Sequence, residues 1–268
     1  MAADRSVAQL RRLGRALPPV LVPRQRIGDV RRRIAAEGIA STLVLCATPR
    51  SGSTMLSRLL ASSGLVGRAE ELFHQDVLPP SARTRPGAYL AGRARQTGRN
   101  GVLGLKLHWY QAQICLGVLS GLRGAAGLSD RELLEACFPR PRFLWLERRD
   151  VVAQGVSAWK LKTTGIWLSG RPARSEPWFD FEAIRESIAI LDEQARAWGE
   201  WFAANEIDPL PLVYEDVVAD PTAAVRAVLD FLGVAVPDEL SVELATRRQA
   251  DALSEEWIRR YRELAERP

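Results

Sequence analysis

The chain has 268 residues, 47% of them hydrophobic and 26% charged, with a formal charge of +5. That composition excludes a fibrous or disordered protein, and the length suits a single large domain better than two small ones. The charge permits an anionic ligand or weak nucleic-acid contact and selects neither, because much of the arginine excess lies near the N-terminus.

Three cysteines, Cys46, Cys115 and Cys137, show no paired or metal-like spacing, and they read as buried thiols of a reducing compartment. His74 and His108 are the only histidines, so no zinc site is legible and no metal is expected. No apolar run approaches the ~20 residues that span a membrane. Pro18, Pro19 and Pro23 interrupt the one apolar patch near the N-terminus, which argues against a signal peptide. A cytoplasmic location is the expectation.

Residues 1–40 read as a basic helical extension: two short helices, Ser6 to Ala16 and Arg26 to Ala36, flank a proline-rich bend, their basic faces solvated. Thr42 to Cys46 is a short aliphatic run of the kind found in interior parallel strands. Pro49 and Gly52 break it, and Met55 to Leu60 continues at helical spacing. A strand, a small-residue turn and a helix start aim several backbone N–H groups and a helix dipole at one point, which suits phosphate or sulfate. A plain helix start capped by a serine is the simpler alternative. Ala47, Gly52, Ser53 and Thr54 fall in the register of a Walker A loop, but Ser53 stands where the lysine belongs and the positive charge sits at Arg50. This counts against a kinase or GTPase, which needs that lysine on its terminal phosphates.

Beyond this helix, Glu70 and Glu71 precede Leu72, Phe73 and His74. They read either as acids favouring a helix start or as a carboxylate delivered to the anion loop as a base. Residues 79–100, rich in Pro, Gly, Arg and Ser, read as a surface excursion or lid. Gly101 to Leu107 reads as a second strand, and Lys106 and His108 fall at its carboxyl end, where open α/β sheets bind ligands. Helices are expected over Ile114 to Leu122 and Arg131 to Cys137. A third strand, Arg142 to Glu147, runs into Arg148, Arg149 and Asp150; Asp150 can cap a helix carrying Gln154, Ser157 and Trp159. Two arginines at a strand end and a serine two turns on suit a second phosphate, or surface salt bridges. In the irregular stretch from Thr163 to Asp180, Trp167, Trp178 and Phe179 either stack on a ligand or staple the loop. Phe181 to Asn205 is a long helix with an apolar stripe. Leu210 to Tyr214 is a fourth strand, Pro221 to Leu232 a helix, and the tail a short amphipathic one.

Strand and helix alternate throughout, which predicts an α/β fold: a P-loop-like parallel sheet flanked by helices on both faces. The joint order of five pieces resembles the sulfotransferases that use 3′-phosphoadenosine 5′-phosphosulfate (PAPS), and within them the bacterial trehalose 2-sulfotransferase family. The pieces are Arg50 to Thr54; Glu71 to Phe73; Gly104 to Trp109; Arg148 to Ser157; and Arg248 to Asp251 with Glu256 and Trp257. The resemblance covers about Ser41 to Arg262 and implies one sulfotransferase domain over residues 41–268. It implies that Arg50, Ser51, Gly52, Ser53 and Thr54 bind the 5′-phosphosulfate, and that Arg148 or Arg149, with Ser157, holds the 3′-phosphate. Arg248 and Trp257 join the donor site. Glu71 matches the family's proposed general base, yet Lys106-Leu107-His108 resembles the Lys-any-His element of cytosolic sulfotransferases, whose histidine is the base. Lys106 and Arg50 would stabilise the leaving oxygen. The resemblance further implies a small hydroxyl acceptor such as trehalose, no metal, and a homodimer. A small-molecule kinase and a basic nucleic-acid-binding protein are the rival readings.

Overall fold

The computed structural model describes residues 25–76, 78–165, 175–240, 242 and 252–266. The predicted helix from Ser6 to Ala16, Trp167, and the tail stretch with Arg248 lie outside them.

Four strands, β1 (Ser41–Ala47), β2 (Val102–His108), β3 (Pro141–Glu147) and β4 (Leu210–Val213), form one parallel sheet in the order β2-β1-β3-β4. Every residue of β1 is buried, as expected of a strand covered on both faces. Its side chains alternate: Val44 and Cys46 join one apolar cluster, Leu43, Leu45 and Ala47 the other. Helices therefore cover both faces, and the α/β sheet read from the sequence is the architecture observed.

One face carries α1 (Ile27–Ala36), α4 (Pro86–Thr97), α5 (Trp109–Ser120), α6 (Asp130–Cys137) and α8 (Phe181–Ala204); α2 (Ser53–Ser62), α9 (Tyr214–Ala219) and α10 (Pro221–Leu232) cover the other. Helix α7 (Val151–Thr164) packs on α8, and the last helix, α11 (Ala252–Ala265), seats Trp257 and Tyr261 against that pair; α3 (Pro80–Thr84) leads into α4. Trp198 of α8 is 1% exposed, and the predicted stripe of that helix is the buried one.

Three segments differ from expectation. Residues 27–36 do more than present a basic face: Arg31, Arg32 and Arg33 are exposed, but Val30 and Ile34 are fully buried against the domain. Residues 80–84 and 86–97 are helical, with Leu90, Ala91 and Ala94 buried. The buried face of α4 is made largely of alanine and glycine, which weakens the apolar periodicity that reveals a helix. Residues 70–74 start no helix. Instead Glu70 bridges Leu105 in parallel, its N–H donating to the Gly104 carbonyl (3.4 Å) and its carbonyl accepting from Lys106 N (2.9 Å). This short run covers the outer edge of β2, which otherwise would present unpaired backbone groups.

Candidate active site

The turn between β1 and α2 is built from Thr48 to Gly52. Arg50 has φ 64° and Gly52 φ 91°, the first unusual for a residue with a Cβ and a place where backbone strain is held. Gln154 of α7 holds the turn from outside, its amide donating to Thr48 Oγ1 (2.8 Å) and the Pro49 carbonyl (2.7 Å). A Cβ at Gly52 would meet the Tyr214 ring at 2.3 Å, so only glycine lets the tyrosine lie against the loop. The cap of α2 is Gly52, with no side chain on the first-turn N–H groups; the serine-capped alternative is not what forms. The dipole and amides of the helix start are thus left for an anion.

Arg50 Nε donates to Ser157 Oγ at 2.8 Å, and Arg148 Nη1 donates to the Arg50 carbonyl at 3.1 Å. The Arg148 guanidinium lies over the Tyr214 ring, 4.8 Å from its centroid. Burial and the like charge of Arg148 both lower the Arg50 pKa, the sign of two cations gathered at one place. Arg149 turns the other way: it chelates the Asp216 carboxylate at 3.0 and 3.1 Å, in a side chain 63% exposed. Asp150 caps α7 through Ala153 N and also takes both contacts from Arg262 of α11.

The second half of the site lies at the end of β2. Lys106, 4% exposed, places Nζ 2.9 Å from Thr54 Oγ1 and 2.8 Å from Glu71 Oε1. The lysine that the loop lacks is thus supplied by the neighbouring strand. Gly104 makes this possible, since a Cβ there would meet the Ala69 backbone at 2.6 Å. The segment bearing Glu71 is further fixed by Ser57 Oγ donating to the Ala69 carbonyl (2.6 Å), by Tyr89 Oη donating to the Leu72 carbonyl (2.7 Å), and by an ion pair between Arg93 and Glu70.

Burial pulls the Glu71 pKa upward, but the charge of Lys106, with contributions from His108 and Gln111, outweighs it and holds the carboxyl at about 2. Burial lowers the His108 pKa to about 4 despite the nearby carboxylate. The Ala47 carbonyl, 3.1 Å from His108 Nδ1, can only accept, so neutral His108 carries its proton on Nδ1. Its Nε2 then faces Glu71 Oε1 at 3.9 Å.

Of the residues singled out in the sequence, Arg50, Ser157 and Arg148 meet at the loop, and Thr54, Lys106, Glu71 and His108 meet beside it. Ser51 is fully buried, its hydroxyl without a partner among the described residues, and Ser53 is buried in the first turn of α2. Trp257 is 3% exposed, packed edge-on to Phe179 at 6.1 Å in the cluster under α11. Trp178 stacks edge-on with Trp159, whose indole donates to its carbonyl, so Trp178 and Phe179 staple their loop.

Tyr214, Tyr110 and Gln111 were not singled out by their own chemistry. Tyr214 ends a predicted strand, and that position was the available signal. Gln111, fully buried, spends its amide on Glu71, Tyr110 and His108 N, a role no spacing rule announces. Among the described residues no helix is long and apolar enough to cross a membrane, and no three His, Cys, Asp or Glu side chains are placed to hold a metal ion.

Comparison with known proteins bears on this geometry. The chain is 30% identical to trehalose 2-sulfotransferase of Mycobacterium tuberculosis (strain ATCC 35801 / TMC 107 / Erdman) over 262 residues, 84% of this chain and 95% of that one. It is also 30% identical to trehalose 2-sulfotransferase of Mycolicibacterium smegmatis over 271 residues, with the same two coverages. A solved structure, the sulfotransferase domain from the curacin biosynthetic pathway, aligns with a TM-score of 0.42 and 14% identity over 81% of this chain and 82% of that one. The family described as Stf0 sulphotransferase matches residues 42–264, nearly all of the sheet and both halves of the site. The chain belongs to that family and is a sulfotransferase.

Proposed function

We propose that the donor is PAPS and that the sulfuryl group goes to a carbohydrate hydroxyl, with Glu71 as the base. The observation that carries this reading is the contact between Arg50 and Ser157, two turns into α7, beside the second cation Arg148 that bonds the Arg50 carbonyl. A donor with phosphates at both ends of one ribose asks for such a pair of sites. Arg50, Ser51, Gly52, Ser53 and Thr54 would take the 5′-phosphosulfate; the uncapped start of α2 and the partnerless Ser51 hydroxyl fit an anion there. Arg148 and Ser157 would take the 3′-phosphate, Arg149 being committed to Asp216. Arg248 belongs to the same reading, and Trp257 would act by seating α11 beside α7.

The acceptor oxygen bonds to sulfur as the bond from sulfur to the bridging phosphate oxygen breaks, and the leaving oxygen keeps the electron pair. Lys106 and the α2 amides stabilise the charge that develops there. The acceptor proton passes to the Glu71 carboxylate, which is more exposed than His108, the side chains being 29% and 9% accessible. His108, tethered to Ala47 through Nδ1, presents its unprotonated Nε2 at 3.9 Å from that carboxylate and donates nothing to it. The trehalose in the relatives' names brings a sugar acceptor to this chain. A homodimer and a sulfotransferase domain over residues 41–268 complete the reading and rest on the family resemblance, while a cytoplasmic location rests on the unpaired cysteine spacing and the interrupted apolar patch near the N-terminus.

The test is binding of adenosine 3′,5′-bisphosphate in the presence of EDTA, and transfer from 35S-labelled PAPS to a panel of sugars. Submicromolar to micromolar binding, lost at least ~100-fold in Arg50→Ala, is expected. An Arg50→Ala protein with unchanged binding and turnover overturns the assignment of the loop.

A further inference from the structure

We propose that the acceptor site recognises a vicinal diol, with Tyr110 donating its hydroxyl proton to the oxygen next to the one that Glu71 deprotonates. This rests on Glu71 facing the acceptor, as proposed above, and adds the chemical class that the site selects. Gln111 carries the argument. It is fully buried, and its Nε2 donates both to Glu71 Oε2 at 2.7 Å and to Tyr110 Oη at 2.9 Å. One fixed amide therefore holds the carboxylate and the phenol within two hydrogen-bond lengths of each other. Its Oε1 accepts from His108 N at 3.0 Å, so the amide has no freedom to turn away.

A phenol has one proton to give and lone pairs to receive with. Tyr110 uses its oxygen to accept from Gln111, while its O–H proton has no acceptor among the described residues. Burial raises the phenol pKa, so the donor is intact at neutral pH. The ring is held in place by stacking on His108 (centroids 6.4 Å, 26°) and edge-on by His74 (6.0 Å, 77°). Tyr110 and Glu71 are both half-buried, and both bond the same Gln111 Nε2. Each Glu71 oxygen has one protein donor, Lys106 on Oε1 and Gln111 on Oε2, and a carboxylate oxygen can accept two.

Neighbouring oxygens of a gauche vicinal diol fit this spacing: one donates its proton to Glu71 and the other accepts from Tyr110. A lone alcohol satisfies Glu71 but leaves the Tyr110 proton unpaired in a site from which the acceptor has displaced water. A site built around such a donor discriminates against the analogue that cannot accept from it.

The experiment measures kcat/KM with labelled PAPS for two pairs of acceptors: trehalose against 3,3′-dideoxytrehalose, which has no vicinal diol, and trans-cyclohexane-1,2-diol against cyclohexanol. In the wild type the diol of at least one pair is expected to be favoured at least ~10-fold, the size of one lost hydrogen bond. In Tyr110→Phe that preference should fall to within about twofold, while affinity for adenosine 3′,5′-bisphosphate stays unchanged. A preference that survives in Tyr110→Phe, an indifferent wild type, or no turnover of any of the four compounds by an enzyme that binds the bisphosphate overturns the diol inference. Failure of the wild type to bind the bisphosphate instead overturns the donor reading on which it rests.

Discussion

The Lys106 ammonium stands 2.8 Å from Glu71 Oε1 and 2.9 Å from Thr54 Oγ1, so a single buried cation ties the carboxylate to the anion loop. Glu71→Gln keeps the shape and removes the proton acceptor; kcat should fall at least ~100-fold, the usual loss for an acid–base group, with bisphosphate affinity unchanged. Lys106→Ala should cost kcat a similar ~100-fold or more through lost charge stabilisation at the leaving oxygen. It also removes the main influence opposing burial at Glu71, whose pKa of about 2 should then rise. The acid limb of the kcat/KM profile would move to higher pH in Lys106→Ala. A limb that stays put would show that the lysine does not set the carboxylate's basicity.

The two adjacent arginines separate cleanly in the structure and should separate in binding. Arg148 reaches the Arg50 carbonyl and lies over Tyr214, inside the cationic cluster. Arg149 pairs with Asp216 at the surface, where ion pairs contribute little. Arg148→Ala is expected to weaken adenosine 3′,5′-bisphosphate by 10- to 100-fold, in line with about 1.5–3 kcal/mol for a charged hydrogen bond. Arg149→Ala should stay within about twofold. Calorimetry on the two variants decides, and the reverse ranking would reassign the 3′-phosphate to Arg149.

What the sequence made legible follows from how local each signal is. The interior strands are continuous apolar runs, and β1 and β3 appeared within a residue of their bounds. The loop could be read because Pro49, Gly52 and the serines around it are local chemistry. Glu71 stayed ambiguous, because its place depends on Glu70 bridging Leu105, a contact across 35 positions with no periodicity of its own. Helix α4 was missed because its buried face, Pro86, Gly87, Leu90, Ala91 and Ala94, carries only one large apolar side chain. Arg148 and Arg149 could not be told apart, since the choice turns on Tyr214 and Asp216, both arriving on α9.

Gly104 tests whether the segment carrying Glu71 must lie as close to β2 as it does. An added Cβ would meet Ala69 Cα and N, both at 2.6 Å, and these are backbone atoms that cannot rotate aside. Gly104→Ala should destabilise the fold by about 1–3 kcal/mol, as overpacking does, visible as a lower urea midpoint. Because the segment must shift outward, kcat should fall by more than the bisphosphate affinity does. Equal losses in both would mean that the substitution acts only through global stability.

His108 should imprint the pH dependence of stability. Its pKa is lowered from 6.5 to about 4, chiefly by burial, so the unfolded chain binds a proton across a window in which the folded protein does not. Stability from this residue is therefore complete above about pH 6.5 and is lost progressively as pH falls toward about 4. Between pH 7 and 4.5 the loss is about 2–3 kcal/mol at ~1.36 kcal/mol per pH unit. Glu71, held at about 2, remains ionised throughout, and other carboxylates titrate alike in wild type and variant. In His108→Gln, whose amide can still donate to the Ala47 carbonyl, the difference in unfolding free energy between the two pH values should shrink by that amount. Urea titrations of both proteins at pH 7 and 4.5 supply the measurement. Equal differences in the two would show that His108 takes up its proton in the folded state as readily as in the unfolded one.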